Sequence, residues 1–204
     1  KGVIIATGGF EWNRELVTTF LRGPMNAPAG SPENTGDGLQ MAMNVGAKLG
    51  NMRNAWWVPV VKVPGEMQYG HESVRLILLE RTRPHSFMIN QYGKRFTNEA
   101  GNYNAMGGVF HAFDPQKFEY PNNPCWLIFD HKHKLSYDVA GCPAGDNAPD
   151  WMLKAETVEE LASLLNLGKN LIYSLCRDGS IPHQKFGRKI RFSQNAVLEK
   201  LNND

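Results

Sequence analysis

The stretch Phe87-Met-Ile-Asn-Gln-Tyr-Gly-Lys-Arg-Phe-Thr-Asn-Glu-Ala-Gly-Asn-Tyr103 decides how the rest of the chain is read. Ser86 to Asn90 carries the pattern of a strand, and Tyr92-Gly93 is the turn signal that closes it. A basic pair, Lys94-Arg95, then precedes Asn98-Glu99, with Tyr103 four residues further on. A tyrosine there admits two readings. Held as a phenolate by electrostatics, it can take a proton from carbon. As an ordinary tyrosine it is a buried amphipathic core residue.

Upstream, Val3-Ile4-Ile5-Ala6 is a continuous apolar run stopping at Thr7-Gly8-Gly9, the pattern of a buried strand before a tight turn. Asn13 is placed to cap a helix with Leu16, Val17, Phe20 and Leu21 on its apolar face. Asn34-Thr35-Gly36-Asp37-Gly38 leads into a second helix, with Leu39, Ala42, Met43 and Gly46 at helical spacing. Residues 53–79 read as irregular strands and loops. Downstream, Cys125 to Asp130 has the look of another buried strand, and Cys142 to Pro149 is loop. Thr157 followed by Glu160 is a capping box for a helix running to Leu165. There is no internal repeat and no low-complexity tract.

Two glycine-bearing turns carry the first chemical hint. Gly8 and Gly9 let backbone amides approach a ligand, because no Cβ stands in the way. Gly36 and Gly38 flank Asp37 at a helix start, where unpaired N–H groups favour an anionic or polar group. Ordinary sheet turns, with Asp37 as a helix cap, are the plainer alternative.

Composition narrows the field. In 204 residues, 42% hydrophobic content allows one core or pieces of two domains, and a formal charge of +2 makes no global case for nucleic acid. Cys125, Cys142 and Cys176 are widely spaced and form no Cys-x-x-Cys pair, against a disulfide framework or zinc site and in keeping with a reducing, cytoplasmic setting. No apolar run has the length of a membrane span. The chain opens inside an apparent strand without a methionine, so a missing amino-terminal part is expected.

Four segments in order resemble one family: Ile5-Ala-Thr-Gly-Gly-Phe10, Thr35-Gly-Asp-Gly38 with Gly46-Ala47, Gly93-Lys-Arg-Phe-Thr-Asn-Glu99, and Trp126-Leu-Ile-Phe-Asp130. Together they resemble the FAD-dependent oxidoreductases related to fumarate reductase and 3-ketosteroid dehydrogenase, over about three quarters of the chain. The resemblance implies FAD as cofactor, held by Thr7, Gly8, Gly9, Thr35, Gly36, Asp37 and Gly38. It also implies a small apolar or steroid-like substrate. Fumarate reductases carry a substrate-binding histidine where Val58 stands here, and a proton-donating arginine where this chain has Tyr103. The ketosteroid dehydrogenase branch places a catalytic tyrosine in an Arg-Phe-x-Asn-Glu-x-x-x-Tyr context, which Arg95 to Tyr103 matches. Glu80 and Arg83 keep a Glu-x-x-Arg spacing that fumarate reductases use near the substrate; a surface ion pair is the alternative. His131 and His133 alternate along an expected extended segment and are read as exposed rather than metal-binding. The Gly-x-Gly-x-x-Gly turn by which such enzymes hold the pyrophosphate is not found in the sequence. The expectation is therefore that this chain alone binds FAD weakly or not at all and is inactive.

From Thr157 the pattern changes. A helix to Leu165 is followed by a second short helix ending at Gly179, a hairpin from Ser180 to Phe192 turning at Gly187-Arg188, and a last helix from Asn195 to Leu201. Tyr173-x-x-x-Arg177-x-Gly179-x-Ile181-Pro182 and Phe186-Gly187-Arg188-x-Ile190-Arg191 resemble the winged helix-turn-helix of excisionase-type DNA-binding proteins. Between Lys169 and Arg191 six basic residues face one acid, Asp178, which suits phosphate neutralisation. The resemblance places Lys169, Asn170, Tyr173 and Arg177 on or beside the helix facing duplex DNA, and Arg188, Lys189 and Arg191 on the wing. A Thr-x-Glu-Glu-Leu-Ala helix is common to both families, so the change falls in a segment the two share. Recombination there, or a false join, is expected.

The fold class expected is α/β for a partial flavin-binding domain (1–52), with an α+β substrate-capping domain (53–156) and a small winged helix-turn-helix (157–204). The function expected is a fragment of an FAD-dependent oxidoreductase. The alternative is an excisionase-like DNA-binding protein with a passenger flavoprotein segment.

Overall fold

The computed structural model describes residues 2–145, 147–167, 184–186 and 189–191. Helix α1, Arg14–Phe20, starts where Asn13 accepts a hydrogen bond from the Leu16 amide through its side chain at 3.1 Å, as the capping position demands. Helix α2, Asp37–Asn44, begins after Gly36, whose φ of +83° is the left-handed conformation glycine accepts without strain. Between and before these helices the chain is irregular. The strand expected at Val3–Ala6 has no partner among the described residues, and Val3 and Ile4 are at least 90% exposed. Apolar continuity alone specified a buried strand; burial also needs a neighbouring strand and a covering layer, and the described residues provide neither. Met43 on α2 is likewise exposed.

A β-hairpin, β1 (Val60–Gln68) and β2 (His71–Leu76), replaces the irregular segment expected at 53–79. Its two-residue turn, Tyr69-Gly70, has positive φ at both positions (+52° and +81°), the geometry that matches strand twist. Register shifts between Lys62 and Met67, where Pro64 has no N–H to offer and Gly65 is left-handed. Lys62–Glu72 at 2.9 Å and Arg75–Glu66 pair across the strands.

Strand β3, Ser86–Asn90, falls where its alternation places it and pairs antiparallel with β4, Cys125–Phe129, from Ser86↔Phe129 to Asn90↔Cys125. Met88 and Ile89 are buried, whereas β4 is only half-buried along its length. A 3-10 turn, Glu80–Thr82, packs beside β3. Helix α3, Tyr103–Phe110, is capped by Asn102, which accepts from the Asn104 amide at 2.8 Å. Helix α4, His131–Ser136, is capped by Asp130. It corrects the extended segment expected at His131–His133: the Asp130 carboxylate takes the His133 amide at 2.9 Å and nucleates a turn. As a result His133 is fully buried, its Nδ1 bonded to the Pro84 carbonyl at 2.8 Å, while His131 stays exposed.

The main apolar cluster joins Ile77, Val139, Ala140 and Met152, with Val61, Leu127, Phe129 and Trp151 against it. Three of these four residues thus come from the chain after α4, where a Val139–Cys142 bridge ties the segment around Ala140-Gly141. Helix α5, Val158–Leu164, starts with Thr157 accepting from the Glu160 amide at 3.1 Å. The reciprocal bond goes to the Glu156 amide, at 2.9 Å, one residue earlier than a standard capping box.

In the tail, β5 (Gln184–Phe186) pairs antiparallel with β6 (Lys189–Arg191), and the turn expected at Gly187-Arg188 lies outside the described residues. The helices expected at 169–179 and 195–201 lie outside the described residues. Among the described residues, the strands form three two-stranded antiparallel sheets, and no helix is long and apolar enough to cross a membrane.

Burial pushes the Cys125 thiol up to about 12, so its thiolate is scarce near neutrality. Alkylation of Cys125 is expected to be slow in the folded protein and fast in denaturant, followed by peptide mass mapping. Rapid native labelling would mean that β4 opens readily.

Candidate active site

The two glycine turns meet. The Gly36 amide donates to the Gly9 carbonyl at 3.0 Å, and the Gly38 amide donates to Thr7 Oγ1 at 3.1 Å. Thr35 Oγ1 donates to Asp37 Oδ1 at 2.8 Å. All seven residues expected at the cofactor are therefore gathered in one place. A Cβ at Gly8 would strike Asn34, at Gly36 it would strike Leu16 and Phe10, and at Gly38 it would strike Thr7 and Ile5. At Gly8 and Gly36 the positive φ (+74° and +83°) also favours glycine. Thr7, Gly8, Gly9 and Asp37 are exposed, whereas Gly36 and Gly38 are buried with their amides engaged by Gly9 and Thr7. This set fits the hydroxyls and phosphates of a dinucleotide: Asp37 would accept from a hydroxyl, and the amides of residues 7–9 would face oxygen.

Tyr103 occupies the first position of α3 and is 41% exposed. It is not buried among the described residues. Its hydroxyl has no hydrogen-bond partner among the described residues. The loop that delivers it is held from two sides. Arg81, only 3% exposed, donates from Nη1 to the Glu99 carbonyl and, at 3.0 Å, to the Gly101 carbonyl, and from Nε to the Ile77 carbonyl at 3.2 Å. Glu99, also buried, accepts from the Met88 amide at 2.8 Å and from Arg95 Nε and Nη2 at 3.0 and 2.5 Å.

Glu80 and Arg83 do not pair with each other, which corrects the surface ion pair. The Glu80 carboxylate accepts from the Leu78 and Leu79 amides, both at 3.0 Å, and from the Ala140 amide at 3.1 Å. It is thus bound up in shaping the chain. Arg83 is exposed and lies over the Tyr137 ring at 5.5 Å. Arg81, between them, makes the contacts that reach the Tyr103 loop; nothing in its sequence context separates it from Arg83, since burial is not encoded in charge. No hydrogen bond, ion pair or ring contact among the described residues links Tyr103 directly to the cofactor turns. Nor do the described residues hold a cluster suited to a metal ion. Of the tail candidates, Lys189 and Arg191 stand in β6, whereas Lys169, Asn170, Tyr173, Arg177 and Arg188 lie outside the described residues.

Burial tends to raise the Glu99 carboxyl, but the hydrogen bonds from Arg95 and the Met88 amide, with the charge of Arg95, bring it below its ordinary value of 4.5. A carboxyl depressed by folding contributes stability that is present above its unfolded value and is lost as pH falls through the folded one. The stability gap between the parent and Glu99→Gln is therefore expected to shrink below about pH 4.3, tracked by denaturant unfolding. A gap constant down to the acid limit would mean that folding does not shift the Glu99 carboxyl.

The chain belongs to the FAD-binding domain family, whose model matches residues 1–203. It is 35% identical to the 4-oxocyclohexanecarboxylate 2-dehydrogenase of Sinomonas cyclohexanicum, over 87% of this chain and 31% of that protein. It is 36% identical to the 3-oxosteroid 1-dehydrogenase of Mycobacterium tuberculosis, over 82% of this chain and 30% of the relative. The crystal structure of 3-ketosteroid delta1-dehydrogenase from Sterolibacterium denitrificans, in complex with 1,4-androstadiene-3,17-dione, superposes with a TM-score of 0.67 at 30% identity. That match covers 84% of this chain and 32% of the other. The chain thus spans about a third of the length of the relatives it matches. FAD is the cofactor of the family, and the small sheets and few helices are part of a flavoprotein fold.

Proposed function

We propose that this chain is part of a dehydrogenase that introduces a carbon–carbon double bond beside the ketone of a ring compound. The Tyr103 oxygen takes the proton from the carbon next to the carbonyl, and a hydride leaves the following carbon. When bound, FAD supplies the two-electron oxidant that receives that hydride. The double bond forms from the electron pair left by the proton, so atoms and electrons balance. One observation carries the reading: Tyr103 is exposed at the start of α3 on a loop braced by Arg81 and by the Glu99–Arg95 pair. Such a phenol is free for substrate and fixed in position. The relatives named for oxo-ring substrates support a cyclic ketone, apolar or steroid-like. Glu80 and Arg83 take no direct part in this scheme; they shape and flank the 3-10 turn that carries Arg81.

The test separates cofactor from base. The purified 204-residue chain is assayed for bound flavin, then given a cyclic ketone in deuterated water with and without added FAD. Exchange of the proton next to the carbonyl is expected with the protein alone; desaturation is expected only where FAD binds and an electron acceptor is present, and so little or none from this chain without the rest of a flavin site. Neither exchange nor desaturation, with FAD demonstrably bound, would sink the reading.

A second reading concerns the tail. The antiparallel pairing of β5 with β6 supports a wing that includes Lys189 and Arg191; in this reading Arg188 belongs to the same wing, and Lys169, Asn170, Tyr173 and Arg177 lie on or beside a helix facing the DNA. This reading gives the tail duplex DNA as partner. Binding that weakens steeply with salt supports it, and its absence at low salt removes it.

A further inference from the structure

We infer that Asn122, oriented by Asn90, is a positioning residue for Tyr103: its side chain fixes the far end of the helix that begins there. The inference rests on the reading of Tyr103 as the base and extends it to the loop before β4.

Helix α3 cannot hold its own place. Its eight residues are fewer than an isolated helix needs in water, and two of them are the poor helix formers Gly107 and Gly108. One side of it borders open space. Two adjoining cavities, about 430 and 840 Å³, form a cleft along that side, and Gly107, Gly108, His111 and Tyr120 line the larger. Trp57 lies against Gly107, but a Cβ at Gly108 would meet nothing within 4 Å. Orientation must therefore come from the buried face, where Met106 sits, and from the two ends. At the start, Arg81 holds the Gly101 carbonyl.

The other end is held by side-chain amides. Asn122 donates from Nδ2 to the Val109 carbonyl at 2.9 Å and accepts through Oδ1 from Asn90 Nδ2 at 3.1 Å. Both asparagines are buried. Asn90 Oδ1 takes the Tyr92 and Lys94 amides, each at 3.0 Å, so its nitrogen is the end that faces Asn122. Asn122 must then present oxygen to Asn90 and nitrogen to Val109. Each group dictates the orientation of the next, from the turn after β3 to the last turn of α3. That turn and that helix are the two ends of the stretch that carries Tyr103, and Asn122 ties them together. An apolar side chain at 122 could fill the space and hold neither.

The tie bears on the chemistry through leverage. Val109 lies about 9 Å along the helix axis from Tyr103, at 1.5 Å per residue, so a slip of about 1 Å there tilts the helix by about 6°. The phenol oxygen, at the end of a long side chain, then moves by a good part of an ångström, enough to slow a step that needs close alignment.

The test follows Tyr103 itself, in the full 204-residue chain labelled with 3-fluorotyrosine. Its fluorine resonance is identified by its absence from Tyr103→Phe. Asn122→Asp keeps the shape and the bond from Asn90 but sets an oxygen against the Val109 carbonyl. It is expected to shift or broaden the Tyr103 resonance while that of Tyr69, at the β1–β2 turn, stays in place. Exchange of the proton beside the carbonyl of cyclohexanone should fall about tenfold at saturating ketone, with the half-saturating concentration unchanged. Should Asn122→Asp lose its circular dichroism, Asn122→Ala decides, because the Ala112 amide still serves the Val109 carbonyl at 3.3 Å. A Tyr103 resonance unmoved in a folded variant, whether or not that of Tyr120 moves, would overturn the inference. So would a deficit confined to the half-saturating concentration. A parent chain without exchange removes the base reading instead, and the Tyr103 resonance alone then judges whether Asn122 places the helix.

Discussion

Replacing Tyr103 with Phe is expected to lower ketone dehydrogenation by about 10²–10⁴-fold, the usual worth of a positioned general base. The substitution removes one oxygen and nothing else. Because that hydroxyl has no partner among the described residues, its loss should leave folding untouched. Exposure of the ring at the first turn of α3 means that the side chain is not needed to fill a core. The deficit should therefore appear in kcat with KM little changed, and the deuterium exchange beside the carbonyl should fall with it. A Phe variant that exchanges and desaturates at the parent rate would assign the base to another residue. Loss of flavin binding in the variant would instead make Tyr103 part of the cofactor's support.

The second large effect is expected at Arg81. Its guanidinium satisfies the carbonyls of Ile77, Glu99 and Gly101 at a position almost closed to water. Arg81→Met keeps the length of the stem and strips those carbonyls of their donor. At about 1–3 kcal/mol for each buried group left unpaired, partly relieved as water enters, a loss of about 3 kcal/mol is expected. That is a large part of the total stability of an ordinary domain. Urea unfolding should show a lower midpoint with an unchanged slope. Arg83→Met is the control: two residues away but exposed, it should cost less than about 0.5 kcal/mol. Equal losses at the two arginines would mean that the buried geometry of Arg81 confers nothing special. Arg81→Lys should recover part of the loss, since an ammonium keeps the charge but not the fork that spans separate carbonyls.

The contrast between Arg81 and Arg83 shows where the amino-acid sequence is legible and where it is not. Local signals were readable because their physics is local. Asn13 caps α1, Ser86–Asn90 alternates into β3, and Thr157 opens α5, each by interactions within a few residues. The grouping of Thr7–Gly9 with Thr35–Gly38 was anticipated only through family resemblance, because it joins segments far apart in the chain. The β1–β2 hairpin was missed because Pro64-Gly65 breaks the alternation of its first strand, although Tyr69-Gly70 marked the turn. Burial of His133 is not legible in the alternation of His131 and His133, because one capping bond from the His133 amide to Asp130 makes that segment helical. The exposed Val3–Ile5 run is the opposite case, in which local pattern overstated tertiary cover. Arg81 needed a fact that no pattern holds: which of two near neighbours faces inward.

Gly107 and Gly108 look interchangeable along the chain, yet their surroundings set them apart as positions for future change. Any side chain at 107 must displace Trp57, whereas one at 108 would meet nothing within 4 Å. An alanine at 108 should also strengthen α3, since glycine inside a helix is about 1 kcal/mol worse than alanine. Position 108 lines the larger cavity. Selection, natural or in the laboratory, thus has a single adjustable point at which enlarging a residue narrows the cleft and firms its supporting helix together. Its neighbour offers no such freedom, so variation in this helix should be channelled through one glycine of the pair.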